Sequence, residues 1–562
     1  MATDTRTIDY TRYYDYDGMT EAMRALANEF PHLMALESIG TSHQGRKLWL
    51  ATITTQATGP DHEKPGYWID GNIHAEEVVG TMVCLYTIER LVRGYGTDDR
   101  ITRLLDEQVF YILPRQNPDA AEVCLTSPYP WCGNGRFMPN ELQTRGLRLE
   151  DVNGDGAITM MRVPDPLGEW KKSAYDSRLM ALRGPDEEDP DTQYFRLLPE
   201  GRLPGFDGAE IVIDPPRDGN LNRNFPANFL PEECQYGAGR YPLSEPESRA
   251  VVEFIVDHAN IAGAEAYHTH GGVILRPFLN LPDSDFAGDD LSVYNAIGEM
   301  GTEETGYPVI SVYEEFTTDK DSPRTGSFME WAYEQLGIIT FSTELWDIWR
   351  VAEIAEPDYF RFRSWGDEET ARLLQWVDQH NPSGYVGWQP FDHPELGPVE
   401  IGGWVSIWTF RNPPPALIED ECERNFRFTI RHAATAPRVG IALVEVDPLG
   451  ADIYRVRAIV ENGGYLPTNV SAQAIVKKVA KPVRVSIEAG AATVVMGEIE
   501  QELGHLAGRS ERRAEWSPWG NAWGSPRRSA EWLVRASVGT TLSITVTSEK
   551  GGVAREHITI EG

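Results

Sequence analysis

Cysteine is scarce in this chain, with only five among its 562 residues. The five are scattered, odd in number and without the spacing of a metal finger: Cys84, Cys124, Cys132, Cys234 and Cys422. A disulfide framework is therefore excluded as the basis of the fold. Cys124 and Cys132 are near enough in sequence to pair across a loop, but the reduced thiols are the favoured interpretation.

Basic residues are few relative to acidic ones, and long apolar runs are absent from the sequence. The chain has 51 basic against 86 acidic residues, a formal net charge of -35. Such a surface repels nucleic acid and anionic lipid, so we expect neither as a partner, and it leaves the oligomeric state open.

No run approaches the roughly 20 apolar residues of a membrane span. Residues 1–10 lack the layout of a signal peptide, so we expect a soluble, cytoplasmic protein.

Helical and strand-like patterns alternate through the first two thirds of the chain. The predicted elements include helix 18–30, strands 34–39, 47–54, 67–73 and 108–114, and helices 246–258 and 367–380. This alternation predicts an α/β sheet with helices on both faces.

The composition changes after residue 381. Residues 382–435 are predicted to form a linker and a helical segment: 382–403 are rich in proline and glycine, which suits a linker or an edge segment, and 416–434 have a helical pattern. Residues 436–562 contain short β-branched runs separated by turns, which predicts an all-β sandwich domain. The expected units are therefore 1–381, 382–435 and 436–562.

The most informative residues are His74 and Glu77, where a strand-like run gives way to a helical pattern. A histidine and a glutamate three positions apart lie one helical turn apart and can converge on one point. Imidazole and carboxylate are a zinc ligand pair, and a third protein ligand would leave one position open for water. Alone the spacing is weak evidence, because it more often marks a surface turn of a helix.

Three more segments carry polar groups further along the chain. They are, in order, the pair Asn222-Arg223, the strand-like run 263–278 with His268 and His270, and the run 337–347 with Glu344. On a strand His268 and His270 point to the same face. The pattern alone therefore does not decide which of them is a third metal ligand.

In this order, the four motifs resemble those of the zinc carboxypeptidase family of the carboxypeptidase A type, the funnelin peptidases. The resemblance covers roughly residues 8–380 and implies a mixed eight-stranded sheet in a catalytic domain. It also implies one zinc ion held by His74, Glu77 and His268. Glu344 is then the expected general base, which takes a proton from the attacking water and gives it to the leaving amine.

The resemblance also assigns groups that contact the peptide substrate. Asn222 and Arg223 match the pair that binds the terminal carboxylate, which a planar guanidinium can hold through both oxygens. A second arginine stabilises the developing oxyanion from a loop that follows residues 117–119. Arg136 is the best match for that arginine, and Arg145 competes with it.

The pocket for the terminal side chain is expected to be lined by Phe328 or Met329, and by Ser342. Both Phe328 and Met329 are apolar, whereas an aspartate would select basic residues, so we expect an apolar or aromatic terminal residue. One departure from the family pattern is Asn220, which stands where relatives often have an aspartate. An amide can orient the first ligand histidine but raises its basicity less.

An insertion over about 140–215 makes the chain longer than compact relatives and is expected to overhang the cleft. Within it, Asp151, Asn153 and Asp155 copy the start of a calcium-binding loop. The closing position is Arg162, where such a loop needs a bidentate glutamate. A calcium site and a tight polar turn both stay open, and the turn is favoured.

Three functions fit these motifs. The first is a zinc carboxypeptidase that removes one C-terminal residue from peptides. The second is a zinc amidohydrolase acting on cell-wall peptides or N-acyl amino acids. The third is an inactive metal-bound binding protein whose β domain recognises a partner. The presence of Glu344 together with all three ligands disfavours the third function.

Overall fold

The chain is described by a computed structural model over residues 6–130, 133–136, 146–209, 211–213, 219–354, 366–511 and 524–561. Its helices are α1 Tyr16–Glu29, α2 Val79–Gly94, α3 Asp99–Glu107, α4 Pro118–Thr126, α5 Pro246–Asp257, α6 Asp290–Thr305, α7 Phe328–Leu336, α8 Ile348–Val351, α9 Asp367–His380, α10 Ile418–Ala433 and α11 Ala472–Val476. Among these described helices, none has the length and apolar character needed to cross a membrane.

Twenty-four strands accompany the helices in the described residues. They are β1 Met34–Thr41, β2 Lys47–Ile53, β3 Gly66–Gly71, β4 Val109–Leu113, β5 Arg148–Leu149, β6 Met160–Pro164, β7 Trp170–Lys172, β8 Met180–Leu182, β9 Tyr194–Pro199, β10 Gly201–Arg202, β11 Ile261–Thr269, β12 Val273–Arg276, β13 Val309–Ser311, β14 Ile339–Leu345, β15 Tyr385–His393, β16 Gly397–Trp404, β17 Val439–Gly450, β18 Ile453–Asn462, β19 Val483–Glu488, β20 Thr493–Met496, β21 Glu500–Gly504, β22 Arg527–Arg535, β23 Thr541–Ser548 and β24 Gly552–Thr559.

Eight strands form the central sheet, in the order β1-β2-β4-β3-β11-β14-β12-β13. Its middle strands β4, β3, β11 and β14 are parallel to one another, and antiparallel pairs flank them. Every residue of β3 and β11 is buried, as is usual when helices cover both faces of a sheet. The predicted mixed eight-stranded sheet is confirmed.

Alternation along β3 supplies both faces with apolar side chains. Tyr67 and Ile69 join the cluster that contains α1 and α2, whereas Trp68 packs on the opposite face with side chains of α5 and α7. The site residues lie at the carboxyl end of the parallel strands. There β11 pairs with β14 so that His268 lies opposite Glu344, and β3 ends beside Tyr267.

A second sheet of six antiparallel strands is built from two distant parts of the chain. Strands β6, β7, β8 and β9 come from the insertion, and β15 and β16 come from after residue 381. Strand β16 pairs with β6, and Glu400 lies opposite Arg162. These two side chains also form an ion pair, with 2.8 Å between Arg162 Nε and Glu400 Oε2.

Helix α10 packs against the first unit. Ile418, Cys422, Phe426 and Ile430 recur every four residues and are buried in the same apolar cluster as side chains of α2. Because α10 is buried in this cluster and β16 pairs with β6, residues 385–433 pack against the first unit. Several of the prolines and glycines lie in β15 and β16, and β15 is the edge strand of its sheet, in line with the edge-segment alternative.

The C-terminal part is a sandwich of two four-stranded antiparallel sheets, β17-β18-β22-β20 and β21-β19-β23-β24. Alternate residues of both sheets meet in one apolar core, for example Val456 and Trp532 from one sheet and Val485 and Ile544 from the other. The predicted all-β sandwich is confirmed.

The packing of α10 predicts a large loss of stability when its apolar side is shortened. Phe426 is 2% exposed, and its ring centroid lies 5.9 Å from that of Tyr86. We expect Phe426→Ala to lower the free energy of unfolding of the full chain by about 3–5 kcal/mol, measured by urea denaturation. The matched control is Arg427→Ala, whose exposed side chain forms an ion pair with Glu423 in the preceding turn of the same helix. A loss below about 1 kcal/mol in both variants would contradict the packing.

Candidate metal centre and active site

His74, Glu77 and His268 form a compact cluster at the end of the parallel strands. Glu77 lies between the two histidines, with 2.9 Å from Oε1 to His74 Nδ1 and 3.1 Å from Oε2 to His268 Nδ1. The two Nδ1 atoms are 3.3 Å apart. All three residues offer ligand atoms within 4.8 Å of one another, and they are the only such group of histidine, cysteine, aspartate and glutamate found in the described residues.

The turn after β3 positions the first two members of the cluster. Gly71 ends the strand where an added Cβ would lie 2.7 Å from the backbone oxygen of Gly80, so only glycine allows α2 to approach this closely. Asn72 follows with φ of 59°. Its side-chain amide donates to the carbonyl oxygens of His74 and Ala75, at 2.7 and 3.0 Å. This turn directs both side chains toward β11.

Two asparagines contact the cluster from the short helical turn Leu221–Arg223 and the residue that caps its N-terminus, Asn220. Asn220 Oδ1 lies 3.3 Å from His74 Nε2. The amide is therefore placed to orient the imidazole of His74, as expected from the sequence. Asn222 Nδ2 lies 3.5 Å from His268 Nε2, and its Oδ1 accepts from the backbone N–H of Phe328 at 3.0 Å. The outer nitrogens of both histidines therefore have polar neighbours.

The donor set fits zinc. Burial by itself raises the pKa of Glu77, but the charges and hydrogen bonds of His74 and His268 outweigh it and hold that pKa below its usual value. The carboxylate is therefore ionised, as a ligand must be. Two imidazole nitrogens and one carboxylate are a ligand set of zinc sites that keep a position open for water or substrate.

Glu344 lies in the same cavity as the cluster, on β14. Its pKa is raised to about 7: burial is the largest cause, the nearby Glu77 adds to the rise, and His268, Arg411 and Arg223 oppose it. A carboxyl group with this pKa can accept and release a proton near neutral pH.

The cavity has a volume of about 720 Å³. Its lining combines the cluster and the predicted substrate groups with further apolar and hydroxyl side chains: His74, Asn222, Arg223, His268, Leu275, Leu279, Val312, Phe316, Thr317, Thr318, Asp319, Ser322, Arg324, Ser327, Met329, Ser342 and Glu344. Arg223 is held by a hydrogen bond from its Nη1 to the backbone oxygen of Asn222 at 2.6 Å. The structure thus brings the candidate metal ligands His74 and His268, together with Glu344 and the Asn222-Arg223 pair, to one cavity, and Glu77 lies directly behind the two histidines.

The structure distinguishes between Phe328 and Met329, which the sequence left open. Met329 lines the cavity together with Ser342. Phe328 is 1% exposed and packs in the core, with its ring centroid 5.6 Å from that of Phe225. Phe328 therefore does not line the cavity, because the helix that begins at this residue turns it to the other side.

Arg136 is not among the residues that line this cavity. Its Nη1 is 3.1 Å from both carboxylate oxygens of Glu245, a buried residue that also accepts a hydrogen bond from Asn134. The side chain is thus engaged in an ion pair instead of lining the cavity with Glu344. Arg145, the competing candidate for the oxyanion role, lies outside the described residues.

The calcium prediction is not supported by the loop at 151–156. Both carboxylate oxygens of Asp151 accept backbone N–H groups, from Gly154 and Asp155 on one oxygen and from Gly156 on the other. Asp155 Oδ1 likewise accepts the N–H of Ala157. These bonds make a tight polar turn, the interpretation favoured by the position of Arg162.

Several residues that line the cavity were not indicated by the sequence. Leu275 and Leu279 follow the second histidine site, and Val312 and Phe316 lie in a separate segment before α7. The apolar alternation of Val273 and Leu275 was a usable signal. Nothing in the sequence connects the segment 312–316 with β12, because only strand pairing in the sheet brings them together.

The geometry predicts which second-site histidine binds metal. We expect His268→Ala to lose zinc, because its Nδ1 completes the ligand cluster, whereas His270→Ala should keep about one zinc per chain. The measurement is the metal content by mass spectrometry after equilibration with a weak chelator. Zinc retained in His268→Ala and lost in His270→Ala would contradict this ligand choice.

Comparisons with known proteins agree with the geometry. The zinc carboxypeptidase family matches residues 19–356, and a domain family of unknown function, DUF8731, matches residues 438–559. Carboxypeptidase M of Mus musculus is 33% identical over 164 residues, which are 29% of this chain and 36% of that protein. Carboxypeptidase A1 of Sus scrofa is 22% identical over 62% of this chain and 66% of its own length.

Among solved structures, the carboxypeptidase A of Helicoverpa armigera aligns with a TM-score of 0.41 and 18% identity, over 66% of this chain and 75% of that one. The chain spans less than two thirds of the length of both curated relatives named above. The family match nevertheless covers more than half of the 562 residues. The chain belongs to the zinc carboxypeptidase family.

Proposed function

We propose that the protein is a zinc-dependent exopeptidase that hydrolyses the C-terminal peptide bond of peptides. The observation that supports this proposal is the meeting of three groups: the cluster of two histidines and one carboxylate, the half-buried carboxyl of Glu344, and Arg223. Glu344 and Arg223 line one cavity with both histidines of the cluster. A bound zinc ion would polarise the scissile carbonyl group and lower the pKa of a water molecule.

Glu344 is the group that handles the proton. It accepts the proton of the water that attacks the carbonyl carbon, and it then delivers that proton to the amine as the carbon–nitrogen bond breaks. Its pKa of about 7 suits both halves of this transfer near neutral pH.

Arg223 sets the position of cleavage. Its guanidinium faces the same cavity as Glu344 and can bind both oxygens of a terminal carboxylate. Asn222, the preceding residue, adds an amide on the same side. A peptide held by its terminal carboxylate presents the last peptide bond to the metal cluster, so removal of one residue at a time is expected.

The cavity walls favour an apolar terminal side chain. Leu275, Leu279, Val312, Phe316 and Met329 contribute apolar surface. Among the described residues of the lining, Asp319 and Arg324 add one charge of each sign beside these walls. An apolar or aromatic terminal residue gains from desolvation here, whereas a charged side chain would lose hydration among the apolar walls.

The first test is loss of C-terminal residues from a mixed peptide pool, followed by mass spectrometry. We expect wild-type protein with zinc to remove single residues, and chelation to stop it. Glu344→Gln should lower kcat by roughly 10²–10⁴-fold while the protein keeps its zinc, because only the proton transfer is lost. Absence of trimming by zinc-loaded wild type would contradict the proposal and direct attention to cell-wall peptides and N-acyl amino acids.

The second test concerns the preference for the terminal residue. Met329→Ala enlarges the pocket, so we expect the ratio of kcat/KM for peptides ending in Trp over Val to rise by about 10-fold or more. The matched control is Phe328→Leu, which is expected to lower stability and leave this ratio unchanged, because Phe328 faces the core. An equal change of the ratio in both variants would contradict the assignment of Met329 to the pocket.

A further inference from the structure

The chain passes from β11 to β12 around the end of β14, where Glu344 lies. His268 of β11 lies opposite Glu344 on one side, and Val273 of β12 lies opposite it on the other. The connection between these two strands, residues 270–272, therefore crosses the end of β14 just beyond Glu344. A group that fixes this crossing also restrains Glu344 relative to His268.

Trp346 holds the crossing in place. It follows the last residue of β14, and its backbone oxygen accepts the N–H of Gly271 at 3.0 Å. Its φ is 60°, in the left-handed region that costs a bulky residue about 1–2 kcal/mol. Such a conformation persists only where the surrounding contacts determine it. The contacts of Trp346 are therefore what keeps this turn in shape.

Glu421, on α10, supplies a polar contact to this turn. Its Oε1 lies 3.3 Å from the backbone nitrogen of Trp346 and accepts that N–H, and it also accepts hydrogen bonds from the Tyr307 hydroxyl and from Asn425 Nδ2. Its other oxygen accepts from Arg424 Nη2 at 2.6 Å. Glu421 and Trp346 are each 1% exposed. A buried carboxylate with this many donors has one fixed position.

Tyr307 supports the crossing from the same side as Glu421. The ring is buried, and a Cβ added to Gly272 would lie 3.1 Å from it and 2.9 Å from the Cβ of Asp347. Gly272 has φ of 63°, so glycine satisfies both the close packing and the backbone conformation. The hydroxyl of Tyr307 lies 3.3 Å from the nitrogen of Trp346. Tyr307 and Glu421 thus form one support beneath the turn.

This support reaches the site from a distant part of the chain. Glu421 lies on α10, outside the range 19–356 that matches the family. It is not among the residues that line the cavity, so any effect on the reaction passes through the turn at Trp346. Trp346 is further tied to this part of the chain because its Nε1 donates to the backbone oxygen of Thr409 at 2.9 Å.

We propose that Glu421 is a positioning residue, which keeps Glu344 oriented toward the metal cluster by holding the turn at Trp346. The proposal rests on the proposed peptidase function and adds a residue that acts on its base. Without the carboxylate, the buried N–H of Trp346 would keep only the hydroxyl of Tyr307 nearby, and the left-handed turn could relax. A shift of about 1 Å in a reacting group can cost about 10²-fold in rate.

The test is steady-state kinetics with a peptide substrate. We expect Glu421→Ala to lower kcat by about 10–100-fold with KM changed at most a few-fold, because the carboxylate of the substrate is still bound. Glu421→Gln keeps an oxygen that can accept the N–H of Trp346, so it should recover most of kcat. Zinc content should be that of wild type in both variants.

The matched control is Arg424→Ala. It removes the partner of the other carboxylate oxygen and leaves the contact of Glu421 with Trp346. We expect a lower midpoint of thermal unfolding and a wild-type kcat. Wild-type kcat in Glu421→Ala, or an equal loss of kcat in Arg424→Ala, would overturn the proposal. If Glu421→Ala does not fold, Tyr307→Phe removes only a hydroxyl and should lower kcat by about 3–10-fold.

A second readout shows whether the effect passes through Glu344. Glu421→Ala should weaken binding of a phosphinic peptide, a tetrahedral analogue, by about 10-fold or more in the wild-type background. In the Glu344→Ala background the same change should alter binding by less than about 2-fold, because the group that Glu421 positions is already gone. Equal weakening in both backgrounds would overturn the proposal.

Hydrogen exchange separates this proposal from the proposed function. We expect the amides of Trp346 and Gly271 to exchange about 10-fold or more faster in Glu421→Ala, and at the wild-type rate in Arg424→Ala. Unchanged exchange in Glu421→Ala would overturn the proposal whether or not the protein trims peptides. Failure of the wild-type protein to trim any peptide, with faster exchange in Glu421→Ala, would contradict the proposed function alone.

Discussion

The pairing of β3, β11 and β14 as adjacent parallel strands is the constraint on which the site depends. Parallel strands end at the same edge of a sheet, so the residues that follow them meet even when hundreds of positions separate them. The register that sets His268 opposite Glu344 brings a ligand and the proposed base together directly. The turn after β3 then has only to direct His74 and Glu77 toward the same point.

The surroundings of the carboxyl groups at this edge of the sheet explain their pKa shifts. Glu77 is buried and Glu344 is half-buried in the cavity, yet their pKa values move in opposite directions. Glu77 lies between two imidazoles that stabilise its charge. Glu344 has no comparable hydrogen-bonded partner among the described residues, so the cost of desolvating its charge dominates. One carboxylate is thereby suited to hold a metal ion and the other to exchange a proton.

The chain after residue 381 contributes to the first unit more than its composition suggests. Strand β16 pairs with β6 of the insertion, and α10 packs against α2. The helical segment 407–411 places Arg411 in contact with Glu76, next to Glu77. The packing of the first unit is therefore complete only when these later residues are folded against it. Proline and glycine in such a stretch mark turns of a packed structure as readily as a linker.

The sequence by itself determined the class of the fold. Through its resemblance to the zinc carboxypeptidase family it also indicated His74 and Glu77 as candidate zinc ligands, Glu344 as the candidate base and Asn222-Arg223 as the candidate carboxylate-binding pair. Each of these lies within a short motif that can be recognised locally. The tertiary structure decided between Met329 and Phe328, engaged Arg136 with Glu245, and brought Arg411 to the cluster. These outcomes depend on which distant elements pack together, and local spacing carries no information about contacts across hundreds of residues.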